Sequence, residues 1–160
     1  MPKELYYEDF VAGQQFHSKR SYKIETENAL AFAKEFDPQA QHTDEAVAKN
    51  SLFGKLVISG WHTAAATMRL KLDTPLANVA NGLVGMGLEN VRWPRPVTPG
   101  DALRVVVTVL DKRLSRSKPD KGIVKYKVET FNQRDELVME MTTAVIAPRR
   151  DPGVGTESGP

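Results

Sequence analysis

The chain has 160 residues, and 22 lysine and arginine residues against 20 aspartate and glutamate residues give it a formal net charge of +2. This length favours one domain with a sizeable core, and so small an excess of positive charge argues against nucleic-acid binding. An apolar share of 41% and a charged share of 26% are typical of folded soluble proteins, which argues against wholesale disorder.

Cysteine is absent from the sequence, which excludes disulfides, thiol chemistry and cysteine-based zinc sites and fits a reducing compartment. The first ten residues carry charges at Lys3, Glu4, Glu8 and Asp9, where a signal peptide needs an unbroken apolar segment. No window of the sequence approaches the roughly eighteen apolar residues that a membrane span requires. These features predict a cytoplasmic protein.

The first part of the chain is predicted to contain a short strand followed by two helices. Residues Phe16 to Ile24 alternate loosely and indicate the strand, and Thr26 is the expected N-cap of the first helix. The apolar residues of this helix recur at the spacing of one helical face: Ala29, Phe32, Ala33 and Phe36. Pro38 ends this helix, and a brief second helix is expected from a Thr43 cap onwards.

The segment from Ser59 to Leu72 predicts a buried central helix with Ser59 as its N-cap. Its three consecutive alanines, Ala64 to Ala66, are small enough to let another element approach the helix axis closely. A glycine-rich connection through Gly82, Gly85 and Gly87 is expected next, followed by the extended run VRWPRPVTPGD, whose prolines prevent a helix.

Long antiparallel strands are predicted after residue 100, with the bounds Asp101 to Asp111, Ile123 to Phe131 and Glu136 to Ala147. In the second of these, Val124, Tyr126 and Val128 alternate with charged residues, which is the pattern of a half-buried strand. The turn at residues 132–135 is short enough to join the second and third strands as a hairpin.

This order of elements predicts one α+β domain in residues 1–148, an antiparallel sheet with helices on one face. A sheet wrapped around one long helix would explain the alanines of the central segment. The tail at residues 149–160 is rich in glycine and proline and shows no periodicity, so it is expected to be flexible.

Two ionisable residues that could support catalysis, Asp37 and His42, lie close together in the run FDPQAQH. A carboxylate and an imidazole on a short turn can converge on one water molecule, which is what general acid-base chemistry requires. An ordinary surface turn explains the same residues, because Asp-Pro pairs are common in turns. A metal site made of these two residues and Asp44 is rejected, since three ligands in one turn lack a distant fourth.

The start of the central helix, Ser59 and Gly60, is a second candidate for chemistry. Free backbone N–H groups at a buried helix start can hold a developing oxyanion, and glycine leaves room for a carbonyl oxygen to reach them. The alternative is an ordinary N-cap. Together with an acid-base pair, an oxyanion donor would suffice to add or remove water beside an activated carbonyl.

The segment FAKEFDPQAQHTDEAVAKNSLFGKLVISGWHTAAATMRL resembles the hydratase segment of the MaoC-like dehydratases, a family that includes the (R)-specific enoyl-CoA hydratases. The run VRWPRPVTPGD also resembles a strand entry of this family, so that the likeness covers roughly residues 6 to 147. The resemblance implies a single hot-dog domain, in which an antiparallel sheet wraps around a central helix.

The resemblance also implies roles for individual residues. Asp37 and His42 stand where the family has its catalytic pair, and Gly60 stands where a backbone N–H binds the thioester carbonyl. Gln39 and Ser59 are implied supporting residues that depart from the family pattern, which has asparagine and histidine there. These departures concern substrate choice and efficiency more than the class of reaction, because the ionisable groups and the glycine are present.

The implied reaction adds water to a trans-2-enoyl-CoA to give an (R)-3-hydroxyacyl-CoA, or removes it. In this interpretation Asp37 accepts a proton from a water that His42 also holds, hydroxide attacks Cβ, and the Gly60 amide stabilises the enolate-like oxygen. Coenzyme A enters only as part of the substrate, and no metal or redox cofactor is implied. Two alternatives remain open: a thioesterase on the same fold, and a module that binds acyl thioesters without chemistry.

Three further features concern ligands and partners: a basic cluster, a histidine of the central helix and a strand edge. Arg113, Arg116 and Lys118 between two predicted strands are candidate contacts for the phosphates of coenzyme A, although a solvated hairpin loop kept polar for solubility is the more common reason for such residues. His62 either lines a pocket or packs in the core. The resemblance also implies a homodimer or a higher homo-oligomer, and joining two sheets at their edges would remove an exposed strand edge.

Overall fold

A computed structural model describes residues 1–152 of the chain. It contains four α-helices, namely α1 (Thr26–Phe36), α2 (Ala40–Thr43), α3 (Glu45–Ala48) and α4 (Gly60–Lys71). Its strands are β1 (Gln15–His17), β2 (Tyr22–Lys23), β3 (Val84–Arg92), β4 (Ala102–Leu114), β5 (Lys121–Phe131) and β6 (Leu137–Pro148). Short 3₁₀ turns at Tyr7–Asp9 and Pro75–Asn78 complete the described elements.

The strands form one antiparallel sheet in the order β1-β4-β5-β6-β3, and β2 also pairs with β4. The three longest strands lie side by side, so that Val107 is opposite Val128 and Val128 is opposite Met141. Helix α4 packs against one face of this sheet, chiefly against β4. The α+β architecture predicted from the sequence, an antiparallel sheet against one long helix, is therefore confirmed.

The core lies between α4 and the inner face of the sheet, and its largest fully buried side chains include Tyr126, Leu103 and Met139. Small and polar residues of α4 allow the helix to approach the strands. The Thr67 hydroxyl donates to the Thr63 carbonyl oxygen at 2.8 Å and lies 2.6 Å from the Thr130 hydroxyl of β5. The central helix predicted from the small residues is thus present, with Ser59 as its N-cap.

Two predicted helix caps are wrong. Helix α1 begins at Thr26, and its N-cap is Glu25, whose side chain makes no capping hydrogen bond. Thr43 ends α2 and hydrogen-bonds back to the Gln39 carbonyl oxygen, so it cannot cap the next helix. Asp44 caps α3 instead, and its carboxylate accepts from two backbone N–H groups of the first turn.

The predicted glycine-rich connection is also wrong, because most of it belongs to β3. Its pairing with β6 shifts register between Gly85 and Leu88, and Gly87 has a φ of 141°, which glycine tolerates readily. The Thr143 hydroxyl donates to the Gly87 carbonyl oxygen at 2.7 Å and anchors this irregular stretch. The single strand predicted over residues 16–24 is divided between β1 and β2.

Helix α4 and strand β3 each leave apolar side chains exposed, although the central helix was predicted to be buried. The exposed large apolar residues are Trp61 and Met68 on α4, Leu72 at its C-cap, and Val84, Met86 and Leu88 on β3. Strand β3 is an edge strand, and nearly all its residues are exposed. We call these six residues the open flank.

The last described residues are held against the rest of the domain. The Arg149 backbone N–H donates to the Asp120 carbonyl oxygen at 2.8 Å, and the Arg150 backbone N–H donates to the Glu8 carboxylate at 3.0 Å. The tail predicted as flexible begins at residue 149, and its residues 153–160 lie outside the described residues.

Candidate active site

A cleft of about 390 Å³ lies where the turn after α1, the first turn of α4 and the segment after β3 meet. Its polar lining residues are Asp37, Gln39, Gln41, His42, Thr63 and Arg95. Its apolar walls include Phe53, Val57, Trp61, Trp93 and Val97. The segments are joined by a hydrogen bond from the Ile58 N–H to the Val97 carbonyl oxygen at 2.9 Å.

Asp37 is the C-cap of α1, and its carboxylate is held by donors on both oxygens. The Gln39 side-chain amide donates to Oδ1 at 2.7 Å, and the Ser59 hydroxyl donates to Oδ2 at 2.7 Å. Oδ2 also lies 3.5 Å from Nε2 of His42. The hydrogen bond from Gln39, then that from Ser59, and finally the nearby His42 lower the pKa of Asp37 against the opposing effect of burial. This carboxylate is therefore ionised at neutral pH and weakly basic.

His42 is oriented by the backbone of the segment that precedes α4. Its Nδ1 lies 2.7 Å from the Val57 carbonyl oxygen, and because a carbonyl can only accept, Nδ1 carries the proton of this bond. In the neutral ring Nε2 then has a free lone pair, and it is Nε2 that faces Asp37. His42 is buried, so its ring has little freedom to turn away from this arrangement.

Ser59 and Gly60 bring the start of α4 into the same cleft. The Ser59 hydroxyl accepts from the Trp61 N–H at 3.2 Å while it donates to Asp37, so one buried side chain caps the helix and positions the carboxylate. Within residues 1–152 the Gly60 N–H donates to no acceptor. A helix N-terminus carries partial positive charge, so this N–H suits an oxygen that becomes negative.

Trp93, just after β3, packs against Gly60. Its indole N–H donates to the Gly60 carbonyl oxygen at 3.0 Å, and its ring lies edge-on to Trp61 with centroids 5.5 Å apart. A Cβ atom at residue 60 would lie 2.9 Å from the indole of Trp93. Only glycine therefore fits here without displacing the tryptophan.

The structure brings together all five residues that the sequence resemblance implied: Asp37, Gln39, His42, Ser59 and Gly60. Two further residues of the cleft were missed. Gln41 donates to the side-chain oxygen of Gln39 at 3.0 Å, and its position beside His42 in the sequence was the available signal. Trp93 reaches Gly60 across 33 residues, and no local pattern indicates such a contact.

The basic residues Arg113, Arg116 and Lys118 do not line this cleft. They line a separate cavity of about 350 Å³ beside the β4–β5 turn. Arg92, the last residue of β3, directly precedes Trp93 of the cleft. Across the sheet Arg92 is opposite Glu140, Glu140 is opposite Glu129, and Glu129 is opposite Val106 of β4. Because a strand rises about 3.3 Å per residue, Arg113 lies about 23 Å further along β4 than Val106. Within one chain the cluster is thus remote from Asp37.

His62 packs in the core, the second of the two roles left open by the sequence. Its ring stacks on Phe32 with centroids 4.6 Å apart, and it does not line the cleft. Burial lowers the pKa of His62, so the ring is neutral. Residues 1–152 contain no group of three or more side chains that could hold a metal ion, and none of their helices is long and apolar enough to cross a membrane.

Both the sequence and the fold of this chain are similar to those of known proteins. The family described as MaoC like domain matches residues 9–132. The protein YdeM of Bacillus subtilis is 32% identical over 142 residues, which cover 89% of this chain and 98% of YdeM. Mesaconyl-CoA hydratase of Cereibacter sphaeroides is 31% identical over 120 residues, 75% of this chain but only 29% of the hydratase.

Solved structures show the same fold. A MaoC-like dehydratase from Rhodospirillum rubrum has a TM-score of 0.86 and 47% identity, and the match covers 92% of this chain and 99% of that one. The (R)-hydratase of A. caviae involved in PHA biosynthesis has a TM-score of 0.69 at 23% identity, covering 88% and 98%. A Mycobacterium tuberculosis protein described as a double hotdog fold has a TM-score of 0.75 at 15% identity, covering 98% and 46%. The predicted hot-dog fold is therefore confirmed.

Proposed function

Because the chain belongs to the MaoC-like dehydratase family, whose hydratase relatives support a hydro-lyase role, we propose that it interconverts a trans-2-enoyl-CoA and an (R)-3-hydroxyacyl-CoA. One observation carries this proposal: the ionised Asp37, the Nε2 lone pair of His42 and the free Gly60 N–H face one cleft. An acceptor for a water proton and a donor for a carbonyl oxygen are what hydration of an enoyl thioester requires.

The hydrogen bonds favour a different division of labour from the one inferred from the sequence. Asp37 is stabilised as a carboxylate, so it orients the water and stabilises a positive charge on His42 but is a poor proton acceptor. In the neutral tautomer favoured by the Val57 carbonyl, Nε2 of His42 is the atom that takes the proton from water. The carboxylate thus performs an electrostatic role while the imidazole moves the proton.

The proposed hydration adds the elements of water across the double bond of the enoyl thioester. As water loses a proton to Nε2 of His42, its oxygen forms a bond to Cβ and the double-bond electrons move towards the thioester oxygen, which accepts from the Gly60 N–H. Nε2 returns the proton to Cα, so that both parts of water reach one face of the substrate. Dehydration is the reverse. Only the elements of water are transferred, so the reaction needs no redox cofactor, and coenzyme A is a part of the substrate.

The test is the loss of enoyl-thioester absorbance when purified protein meets short trans-2-enoyl-CoA substrates, with free coenzyme A measured in parallel. We expect hydration by the wild type and a loss of about a hundredfold or more in kcat for Asp37→Asn and for His42→Ala. Release of free coenzyme A without hydration would identify a thioesterase instead. Binding of the thioester with neither reaction would identify a non-catalytic module.

We further propose that the chain is a homodimer joined through the edge of β3. Strand β3 exposes Val84, Met86 and Leu88, and within residues 1–152 it has no neighbouring strand on one side. Pairing two such edges around a twofold axis would bury these side chains and satisfy the free backbone groups. Light scattering after size exclusion should give twice the mass of the chain. Leu88→Glu should give a monomer, and a wild-type monomer would contradict the proposal.

The candidate contacts for coenzyme A phosphates, Arg113, Arg116 and Lys118, also fit such a dimer. In an antiparallel pairing centred on β3, the start of one β3 lies beside the end of the other. The basic cluster, which adjoins Met86 near the start of β3, would then approach the partner's cleft. Replacing all three by alanine should raise KM for an enoyl-CoA and leave KM for the phosphate-free N-acetylcysteamine thioester unchanged.

A cytoplasmic location stays a prediction from the sequence.

A further inference from the structure

We propose that Gln41 is a positioning residue for Asp37, acting through the side-chain amide of Gln39 and without contact to the reacting atoms. The proposal rests on the proposed function for its kinetic effect. Its structural part, that Gln41 controls how Asp37 is held, can be tested separately.

Three hydrogen bonds connect these side chains in a row. The Gln41 amide nitrogen donates to Oε1 of Gln39 at 3.0 Å, and the Gln39 amide nitrogen donates to Oδ1 of Asp37 at 2.7 Å. The Ser59 hydroxyl completes the row with its bond to Oδ2. The backbone carbonyl of Gln41 in turn accepts from the Val57 N–H at 3.4 Å. Gln41 is therefore anchored to the segment that also orients His42 through the Val57 carbonyl.

Gln39 alone cannot fix its own orientation. A carboxylate can only accept, so the amide nitrogen of Gln39, and not its oxygen, must face Asp37. Rotation of the Gln39 amide by half a turn would place its oxygen against Oδ1 of Asp37, and both of these atoms are acceptors. Gln39 is exposed, so water can serve either end of its amide. A donor on the oxygen end makes the productive orientation the favoured one, and the half-buried Gln41 supplies that donor.

Among residues 1–152, no other charged side chain that lines the cleft contacts Oδ1 of Asp37. His42 faces Oδ2, which is the opposite oxygen of the carboxylate. Arg95 also lines the cleft, but its guanidinium lies 3.2 Å from the carboxylate of Glu136. The Oδ1 side of Asp37 is thus held by Gln39, and the orientation of Gln39 by Gln41.

The kinetic test compares Gln41→Leu, Gln41→Glu and Gln39→Leu, with Gln15→Leu on β1 as a matched control outside the cleft. Loss of one amide hydrogen bond should lower kcat of Gln41→Leu roughly two- to tenfold at unchanged KM. Gln41→Glu keeps the shape but offers only acceptors, so it should lose more than Gln41→Leu. Gln15→Leu should leave kcat unchanged.

A double-mutant cycle distinguishes action through Gln39 from direct contact with substrate. If Gln41 acts through Gln39, Gln41→Leu should have no further effect in a Gln39→Leu background. Independent effects of the two substitutions, or a rise in KM with unchanged kcat, would overturn the proposal. So would Gln41→Glu with the activity of the wild type.

An NMR titration of the Asp37 carboxyl carbon separates this inference from the proposed reaction. Because the hydrogen bond from Gln39 is the largest influence lowering the pKa of Asp37, that pKa should rise in Gln39→Leu and also in Gln41→Leu. An unchanged pKa in Gln41→Leu would overturn the inference, even in an active hydratase. A raised pKa in a chain without hydratase activity would support it and refute the proposed function alone.

Discussion

A methyl group at Gly60 should separate catalysis from folding in this protein. In Gly60→Ala the new Cβ would lie 2.9 Å from Cε2 and 3.1 Å from Nε1 of the Trp93 indole. The indole must then move away, its hydrogen bond to the carbonyl oxygen of residue 60 is lost, and the first turn of α4 shifts. The N–H of residue 60, the proposed oxyanion donor, is part of that turn.

The expected sizes of the two effects differ. Overpacking costs about 1–3 kcal/mol, and replacing glycine by alanine in a helix returns up to about 1 kcal/mol, so the free energy of unfolding should fall by no more than about 3 kcal/mol. A misplaced oxyanion donor costs about a hundred- to a thousandfold in kcat. In Gly60→Ala we therefore expect kcat to fall by two to three orders of magnitude in a protein that remains folded.

Gly122→Ala provides the contrast, because its Cβ would lie 2.0 Å from the ring of Tyr7, outside the cleft. This variant should lose stability while the folded fraction keeps the wild-type kcat. The assay is enoyl-thioester hydration together with urea denaturation of both variants. A Gly60→Ala protein with the kcat of the wild type would refute the assignment of the Gly60 N–H, and a loss of kcat that only follows unfolding would refute it equally.

The remaining predictions concern two buried hydrogen-bonding groups. Ser59→Ala removes an N-cap and a donor to Asp37, so urea denaturation should show a loss of about 1–2 kcal/mol, and the pKa of Asp37, followed by NMR, should rise. Tyr126→Phe leaves the buried Lys71 ammonium without its partner at 3.2 Å and should cost about 1–3 kcal/mol, whereas Lys71→Met with Tyr126→Phe should cost less than Tyr126→Phe alone. Burial lowers the pKa of Lys71 in the folded protein. At pH values between this lowered pKa and the ordinary pKa of lysine, the unfolded chain therefore binds more protons than the folded one. Wild-type stability should therefore gain a contribution as pH rises through that window, and the double variant should lack it.

Regular patterns made much of the fold predictable. The alternation of apolar and charged residues along residues 123–131 records which face of β5 is buried. The helical spacing in α1 does so for Ala29 and Ala33, but Phe36 of the same predicted face is exposed. The three alanines of α4 predicted a close approach of another element, but only Ala66 of the three is buried and Ala65 is exposed. The close contact with β5 is made by the hydroxyl of Thr67. Burial is repeated over many residues of an element, so single exceptions do not hide the pattern.

Features determined by single contacts were less predictable. Thr43 and Asp44 are both good capping residues, and the choice between them depends on the bond that Thr43 makes to Gln39. The glycines of β3 suggested a loop, but β6 supplies the pairing that makes this stretch a strand. The open flank was not foreseen, because helix α4 is central in the sequence and yet leaves the edge of the sheet uncovered.

The candidate site shows the same division between local and distant determinants. The spacing of Asp37 and His42 is local, and the sequence placed both on one turn. Their chemical states depend on distant partners, since Ser59 reaches Asp37 across 22 residues and Val57 orients His42 across 15. A pattern of residue types identifies the pair but cannot say which member moves the proton. In the proposed mechanism the hydrogen bonds support one assignment: the carboxylate receives donors on both oxygens, whereas the Val57 carbonyl leaves Nε2 as the acceptor nitrogen of the neutral imidazole.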